Sequence, residues 1–329
     1  RPPRSTLFPY TTLFRSLPPL TTYDSYRAWR GDASRWLPVA RDIADGHGLS
    51  WGTPHVFSTG TNLVVGLGDD LILKLFPPFL RPQFVSERGA LAELRGRLGI
   101  PIPDLIAEGE RDGWPYLVIT RLAGTVGSEV WPSLSEAERE RVLGEIGAVI
   151  AEVQRVPPGG LPAIGQPWDA FMRGQVAQCR ARHERLGLPA KFLRSLDDLL
   201  RDATELIPMH APPVILTGEY IPENFLLGRR ADGWHVAGLF DFGDVRTGWG
   251  EYDLLGPSAF MAAGHPRLVR SLFDGFGIPQ SEVNFTLKRR LMALMMLHSA
   301  SDPLRHICIA GWPDQVDDFV QLQELIWPG

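Results

Sequence analysis

Apolar positions along this chain switch from helical to alternating spacing and back, and each switch marks a change of element. Over residues 23–44 they recur at helical spacing, through Tyr26, Trp29, Trp36, Leu37, Ala40 and Ile43. That pattern predicts one helix, kinked at Pro38 and ended by Gly46 and Gly48. Over residues 55–76 the apolar residues fall into short runs broken by Gly60, Gly66 and Gly68, and residues 68–70 (Gly-Asp-Asp) carry a hairpin turn signal. Two or three antiparallel strands are expected there. Residues 83–98 return to helical spacing with Phe84, Leu91, Leu94 and Leu98, closed by Gly99 and followed by a stiff Ile-Pro-Ile-Pro link at 100–103. Residues 104–110 and 115–122 read as two more strands around a turn at 111–113. The amino-terminal part is thus expected to be a sheet of about five strands with one inserted helix.

Beyond Ala123 and Gly124 the pattern becomes helical. Residues 133–156 open with a capping-box signature, Ser135 followed three residues later by Glu138. Residues 168–186 and 190–207 read as further helices. Two strand-like runs follow, within 214–227 and 236–244, joined through a turn at 229–233. Helices are then expected near 254–262, 266–276, 282–299 and 315–326. The apolar run 291–298 is short and preceded by Lys288, Arg289 and Arg290, so it reads as a buried helix. No apolar run reaches the roughly 18 residues of a membrane span, and no membrane association is expected. The pattern is that of an α+β chain, with a small antiparallel sheet lobe at 17–122 and a larger helical lobe at 123–329 that carries one hairpin.

Composition narrows the partners. The 329 residues carry a net charge of -5, with 44% hydrophobic and 22% charged residues, the balance of a globular protein. A negative balance argues against a nucleic-acid partner, because the phosphate backbone wants a basic face, and it is compatible with a small cationic ligand. Cys179 and Cys308 lie far apart and form no Cys-x-x-Cys, so a reducing cytoplasm is expected, without a zinc site or disulfide framework. No feature specifies an oligomeric state. Residues 1–16 contain no acid, no period and no signal-like apolar core. They resemble the translated sequencing-adapter read-through found at the ends of metagenomic gene predictions. The native start is expected near Leu17, and the tail is expected to be poorly ordered.

Candidate chemistry centres on the second hairpin. Glu219 stands five residues before Asn224, and Asp241 comes just after the buried strand that the turn brings back beside Asn224. Phosphoryl transfer from a nucleotide needs such a set: one carboxylate to orient a hydroxyl, and an amide and a carboxylate as hard oxygen ligands for magnesium. Ordinary turn chemistry also puts Asn and Asp at strand ends. Lys74, in Leu-Ile-Leu-Lys-Leu-Phe, is either an edge-strand lysine facing water or a lysine for nucleotide phosphates. The second role needs a helix carboxylate as partner, with Glu87 the first choice and Glu93 the second; a solvated helix face would explain either acid as well. The turn 58–62, with Thr59, Gly60 and Thr61, can fold over phosphates through backbone N–H groups, as can other hairpin turns. Neither a P-loop nor a dinucleotide fingerprint is present.

Taken in order, these residues resemble the aminoglycoside phosphotransferase family of the protein-kinase-like superfamily. The family pattern His-Gly-Asp-x-x-x-x-Asn reads here Thr217-Gly218-Glu219 with Asn224, its Asp-Phe-Gly-like motif begins at Asp241, and its Tyr-Asp-Leu element is Tyr252-Asp253-Leu254. Segments 73–76, 100–109 and 114–125 look like the amino-terminal lobe of the hygromycin-B kinase branch, and the resemblance spans roughly residues 59–277. It implies a bilobal kinase-like fold, ATP or GTP with Mg2+, and transfer to a small cationic acceptor. An aminoglycoside or aminocyclitol antibiotic such as hygromycin B is the expected acceptor, with resistance as the outcome. It implies that Glu219 is the catalytic carboxylate, that Asn224 and Asp241 hold magnesium, and that Lys74 binds phosphate steadied by Glu87. Thr120 to Leu122 would meet the adenine through backbone groups, and Asp253 would stabilise the catalytic loop. Thr217 and Glu219 depart from the pattern. The longer acid moves the carboxylate by about one C–C bond, and misplacement of ~1 Å can cost about a hundredfold in rate. Two alternatives follow: a nucleotide-binding pseudokinase, and a kinase for a metabolite such as choline, a sugar or homoserine. Glu251, Asp314, Asp317 and Asp318 are candidates for an acidic acceptor pocket, and Trp249, Trp312 and Trp327 for a sugar-binding wall; a solvated helix face is the favoured reading of the three aspartates, and packing is the commoner role of such tryptophans.

Overall fold

A computed structural model describes residues 16–329; residues 1–15, the bulk of the tail singled out above, lie outside the described residues. The chain divides into two compact units. One takes the residues up to Phe84 together with Leu105–Arg121, the other Val85–Asp104 together with Leu122–Gly329. The α+β class expected from the sequence is the class observed.

The first unit is a five-stranded antiparallel sheet in the order β1-β2-β3-β5-β4, built from β1 (His55–Phe57), β2 (Leu63–Leu67), β3 (Leu71–Leu75), β4 (Leu105–Arg111) and β5 (Trp114–Thr120). Its core follows from strand alternation. Leu63, Val65, Leu67, Leu73, Leu75, Trp114, Tyr116 and Val118 turn one way and bury against two helices, α1 (Tyr23–Arg30) and α2 (Leu37–Gly46). The single kinked helix expected over 23–44 is therefore two. Gly31 ends α1, Asp32 caps a short 3-10 turn at Ala33–Arg35, and Pro38 lies in the first turn of α2, where its missing N–H costs nothing. Leu17 is buried, and its N–H donates to Asp112 Oδ2 at 2.9 Å.

Helix α3 (Arg81–Leu94) leads from the first unit into the second. The second unit continues with β6 (Thr125–Val126), α4 (Gly127–Val130), α5 (Glu136–Arg155), α6 (Trp168–Arg185) and α7 (Ala190–Leu206). The expected capping box is present: Glu138 N–H donates to Ser135 Oγ, and Ser135 N–H donates to Glu138 Oε2. Then come β7 (Val214–Leu216), β8 (Phe225–Arg230), β9 (Gly233–Leu239) and β10 (Arg246–Gly248). Six helical segments complete it: α8 (Leu255–Pro257), α9 (Pro266–Phe276), α10 (Phe285–Leu297), α11 (Pro303–His306), α12 (Trp312–Gln315) and α13 (Phe319–Ile326). A 3-10 turn, Gly250–Leu254, precedes α8, and a π-helical turn, Ser258–Ala262, follows it.

Helix α10 is the buried helix expected at 291–298. Its three leading cations are not a solvated face, because each takes a carboxylate: Lys288 pairs with Glu324, Arg289 with Asp202 and Arg290 with Glu251. Buried charges of this kind are tolerated only when paired. Among the described residues no helix is long and apolar enough to cross a membrane.

Candidate active site

Two loops of the second unit run side by side because each is pinned at both ends. The first leaves β7, passes Thr217 to Asn224 and enters β8. The second leaves β9, passes Phe240 to Val245 and enters β10. β8 pairs with β9, opposing Phe225 to Leu239, and β7 pairs with β10, opposing Leu216 to Arg246. Phe240 N–H donates to Asn224 O at 3.1 Å, which extends the β8–β9 ladder by one bond and puts Asp241 next to Asn224. The turn at 229–233 does what the sequence predicts.

Asn224 closes a 3-10 turn, its N–H donating to Ile221 O at 3.0 Å. Its side-chain nitrogen donates to Glu219 O at 2.9 Å, which fixes the amide and ties it to the backbone of the acid. Asp241 holds a left-handed backbone with φ 66°, uncommon for a residue with a side chain and typical of strained functional positions. An amide oxygen and a carboxylate at adjoining loop positions are hard donors that fit Mg2+.

Glu219 is positioned by its neighbour Gly218, which is gripped on both sides. Its N–H donates to Asp253 Oδ1 at 2.9 Å, and Thr217 N–H donates to Asp253 Oδ2 at 3.1 Å. Asp253 thus stabilises this loop as expected. It lies within the 3-10 turn and is not the cap of the following helix. Burial pushes its carboxyl from the ordinary 3.8 up to about 7, against the pull of the two N–H groups. The Gly218 carbonyl accepts from His298 Nε2 at 3.2 Å, while His298 Nδ1 accepts from Ala300 N–H at 3.2 Å. This bonding assigns the His298 proton to Nε2. Burial pulls its pKa down to about 4, so the ring is neutral. The ring stacks on Tyr252 with centroids 4.6 Å apart. Gly218 itself adopts φ 79°, and Gly127 backs the loop so closely that an added Cβ would stand 2.6 Å from Pro222 O.

In the first unit, Lys74 lies on a central strand and is buried, which sets aside the edge-strand reading. It faces away from the α1/α2 core, sharing its face with Val64 and Leu117, and its ammonium stands 5.5 Å from the Phe76 ring centre. The turn with Thr59, Gly60 and Thr61 is held by its carbonyls: Arg30 donates to Gly60 O and Thr61 O, and Tyr26 Oη donates to Thr61 O. Trans peptides then turn the Thr61 and Asn62 N–H groups the opposite way. Thr120 ends β5. In the second unit, Leu122 is half-buried and Glu87 is buried in α3, which excludes a solvated face for Glu87. Glu93, the second choice, accepts the Gly160 N–H at 2.9 Å.

Several sequence candidates fall outside the site. Glu251 is in a two-point ion pair with Arg290 and offers no charge to an acidic pocket. Asp318 caps α13 and Asp317 pairs with Lys191. Trp312 and Trp327 are buried packing residues. Sequence reasoning missed His298. For His298 the available signal was a polar residue closing an apolar helical run.

The sequence model of the phosphotransferase enzyme family matches residues 57–290, well over half of the chain. Among solved structures, the GDP complex of aminoglycoside 2'-phosphotransferase-IIIa is similar at 16% identity, over 88% of this chain and 97% of that one, with a TM-score of 0.66. The streptomycin–ATP ternary complex of APH(2")-IIa is similar at 12% identity, over 88% and 98%, with a TM-score of 0.56. The macrolide 2'-phosphotransferase of Brachybacterium faecium is similar at 19% identity, over 79% and 90%, with a TM-score of 0.57. At such identities the likeness establishes the fold, the bilobal protein-kinase-like one.

Proposed function

The chain belongs to the phosphotransferase enzyme family, and from that premise we propose that it moves the terminal phosphoryl group of ATP or GTP onto a hydroxyl of a small-molecule antibiotic. The observation that carries this reading is the pair of loops clamped between the β7–β10 and β8–β9 ladders, which presents Glu219, Asn224 and Asp241 together. In this reading the Glu219 carboxylate orients the acceptor hydroxyl and receives its proton. The acceptor oxygen forms a bond to the terminal phosphorus as the bond to the bridging oxygen breaks, and a phosphate ester and a nucleoside diphosphate leave. Asn224 and Asp241 would hold Mg2+, which when bound neutralises charge on the phosphates. Lys74, steadied by Glu87, binds phosphate oxygens, and the N–H groups of the 59–61 turn cover them. The backbone from Thr120 to Leu122 takes the base. A cytoplasmic site of action fits the nucleotide requirement, and resistance to the antibiotic is the expected outcome.

Glu219 is where a competing reading, nucleotide binding without transfer, takes hold, because its side chain is longer than the aspartate of the family pattern. Turnover of ATP and GTP with a panel of acceptors, hygromycin B included, separates the two. Glu219→Gln should lower turnover by about a hundredfold or more while nucleotide affinity stays within about twofold. An equal loss of nucleotide binding would place Glu219 on the nucleotide side and sink its proposed role. A faster Glu219→Asp enzyme would identify a compromised loop, a slower one a site built for glutamate.

A further inference from the structure

A cleft of about 230 Å³ opens beside Glu219, wholly within the second unit. That is below the ~300–1,000 Å³ of sites that enclose a drug-sized ligand, so it takes one ring of the acceptor and leaves the rest outside. Its walls are mostly apolar: Ile221 from the loop, Leu255 from α8, Phe260, Met295 from α10 and Ile307. Phe260 and His306 form a ring pair with centroids 5.1 Å apart on one side. Besides Glu219 the cleft carries, among the described residues, a single carboxylate, Asp302, at the start of α11. The adjoining hollow is lined by Asp244 together with Arg246. The two imidazoles of the cleft, His298 and His306, add no charge at neutral pH, since burial lowers both.

An inserted ring with several ammonium groups would need a carboxylate for each one the cleft desolvates, because unpaired buried cations are costly. This lining supplies one acid for the hydroxyl and one for an amine, set in an apolar wall. Building on the phosphotransfer reading above, we propose that the acceptor is an amphipathic alcohol carrying one amine, seated with an apolar ring face against Phe260, Met295 and Ile307 and its ammonium on Asp302.

The test compares erythromycin, with one amine on a largely apolar body, against kanamycin and hygromycin B, which carry several, using the full chain with ATP, GTP and Mg2+. Product is read by mass and by nucleoside diphosphate release. Erythromycin should be the better acceptor by about a hundredfold or more in kcat/KM, and Asp302→Asn should raise its KM by about tenfold or more while the nucleotide KM is unchanged. Asp317→Asn, exposed on the loop before α13, should alter neither. A preference for kanamycin or hygromycin B overturns this proposal and leaves the transfer reading standing, as does an erythromycin KM indifferent to Asp302→Asn. Turnover of none of the three overturns this proposal, and the transfer reading falls with it only when the wider acceptor panel also gives no turnover.

Discussion

The two hairpins that carry the candidate chemistry are built alike and depend on different things. In the β2–β3 hairpin, Lys74 sits mid-strand, paired on both sides, and its direction is set by alternation. In the β8–β9 hairpin, Asn224 and Asp241 sit beyond the last pairs, where alternation no longer aims a side chain. Their placement rests on groups from elsewhere in the sequence: Asp253 and His298 on Gly218, Gly127 behind Pro222, and β10 on β7. A mid-strand residue inherits its position from the ladder. A strand-end residue has to be held, and it can be strained.

The largest expected effect comes from removing that strain. Asp241→Gly allows φ 66° without cost, so stability should rise by up to about 1 kcal/mol while transfer falls by a thousandfold or more, to the order of the background. Thermal unfolding and single-turnover phosphorylation check it, and a loss of stability would show that Asp241 is a structural residue. On the other hairpin, Lys74→Met replaces a buried cation with a side chain of similar length in a ladder that needs no help. Stability should hold or increase, and nucleotide KM should rise by about tenfold or more. Marked destabilisation with unchanged nucleotide affinity would refute the phosphate role.

The third expectation concerns the clamp on Gly218 and its pH dependence. Asp253 has a folded pKa raised from 3.8 to about 7, so between about pH 4 and 7 the folded chain keeps a proton that the unfolded chain has released. Its contribution to stability is greatest below about pH 4, declines as pH rises and is gone above about 7. His298 works in the opposite sense. Its folded pKa is lowered from 6.5 to about 4, so its contribution is present above about pH 6.5 and lost as pH falls toward 4. The two largely cancel in the native protein. Asp253→Asn, costing about 1–3 kcal/mol, should unmask a stability that rises with pH from about 4 to 6.5. His298→Phe, which keeps the stacking on Tyr252, should unmask the reverse slope. Urea unfolding across this range decides it, and parallel profiles for both variants would mean the two groups do not titrate as argued.

Much of the first unit was legible in the sequence, because glycine breaks and strand alternation are local signals. The strand count and the Gly-Asp-Asp turn both follow from them. The Ser135–Glu138 capping box and the helix from Pro266 to Phe276 were equally readable. The break between α1 and α2 was not, since apolar spacing runs straight through Gly31 and Asp32 and only the cap at Asp32 interrupts it. Glu251 was misread for a different reason: its partner, Arg290, lies 39 residues further on, and no spacing rule reaches that far. Trp312 and Trp327 carried no sign of which way they turn.

By itself the sequence determined the inventory and the order: an α+β chain, a lysine on a strand, and an acid, an amide and an acid at the ends of a hairpin. Those properties depend on near neighbours, where propensity and alternation act. Only the tertiary structure decided that Lys74 is central and buried, that Gly218 is held from both sides, and that the cleft by Glu219 is apolar with Asp302 as its other carboxylate. These depend on groups tens of residues apart, whose hydrogen bonds and desolvation exist only once the chain has folded.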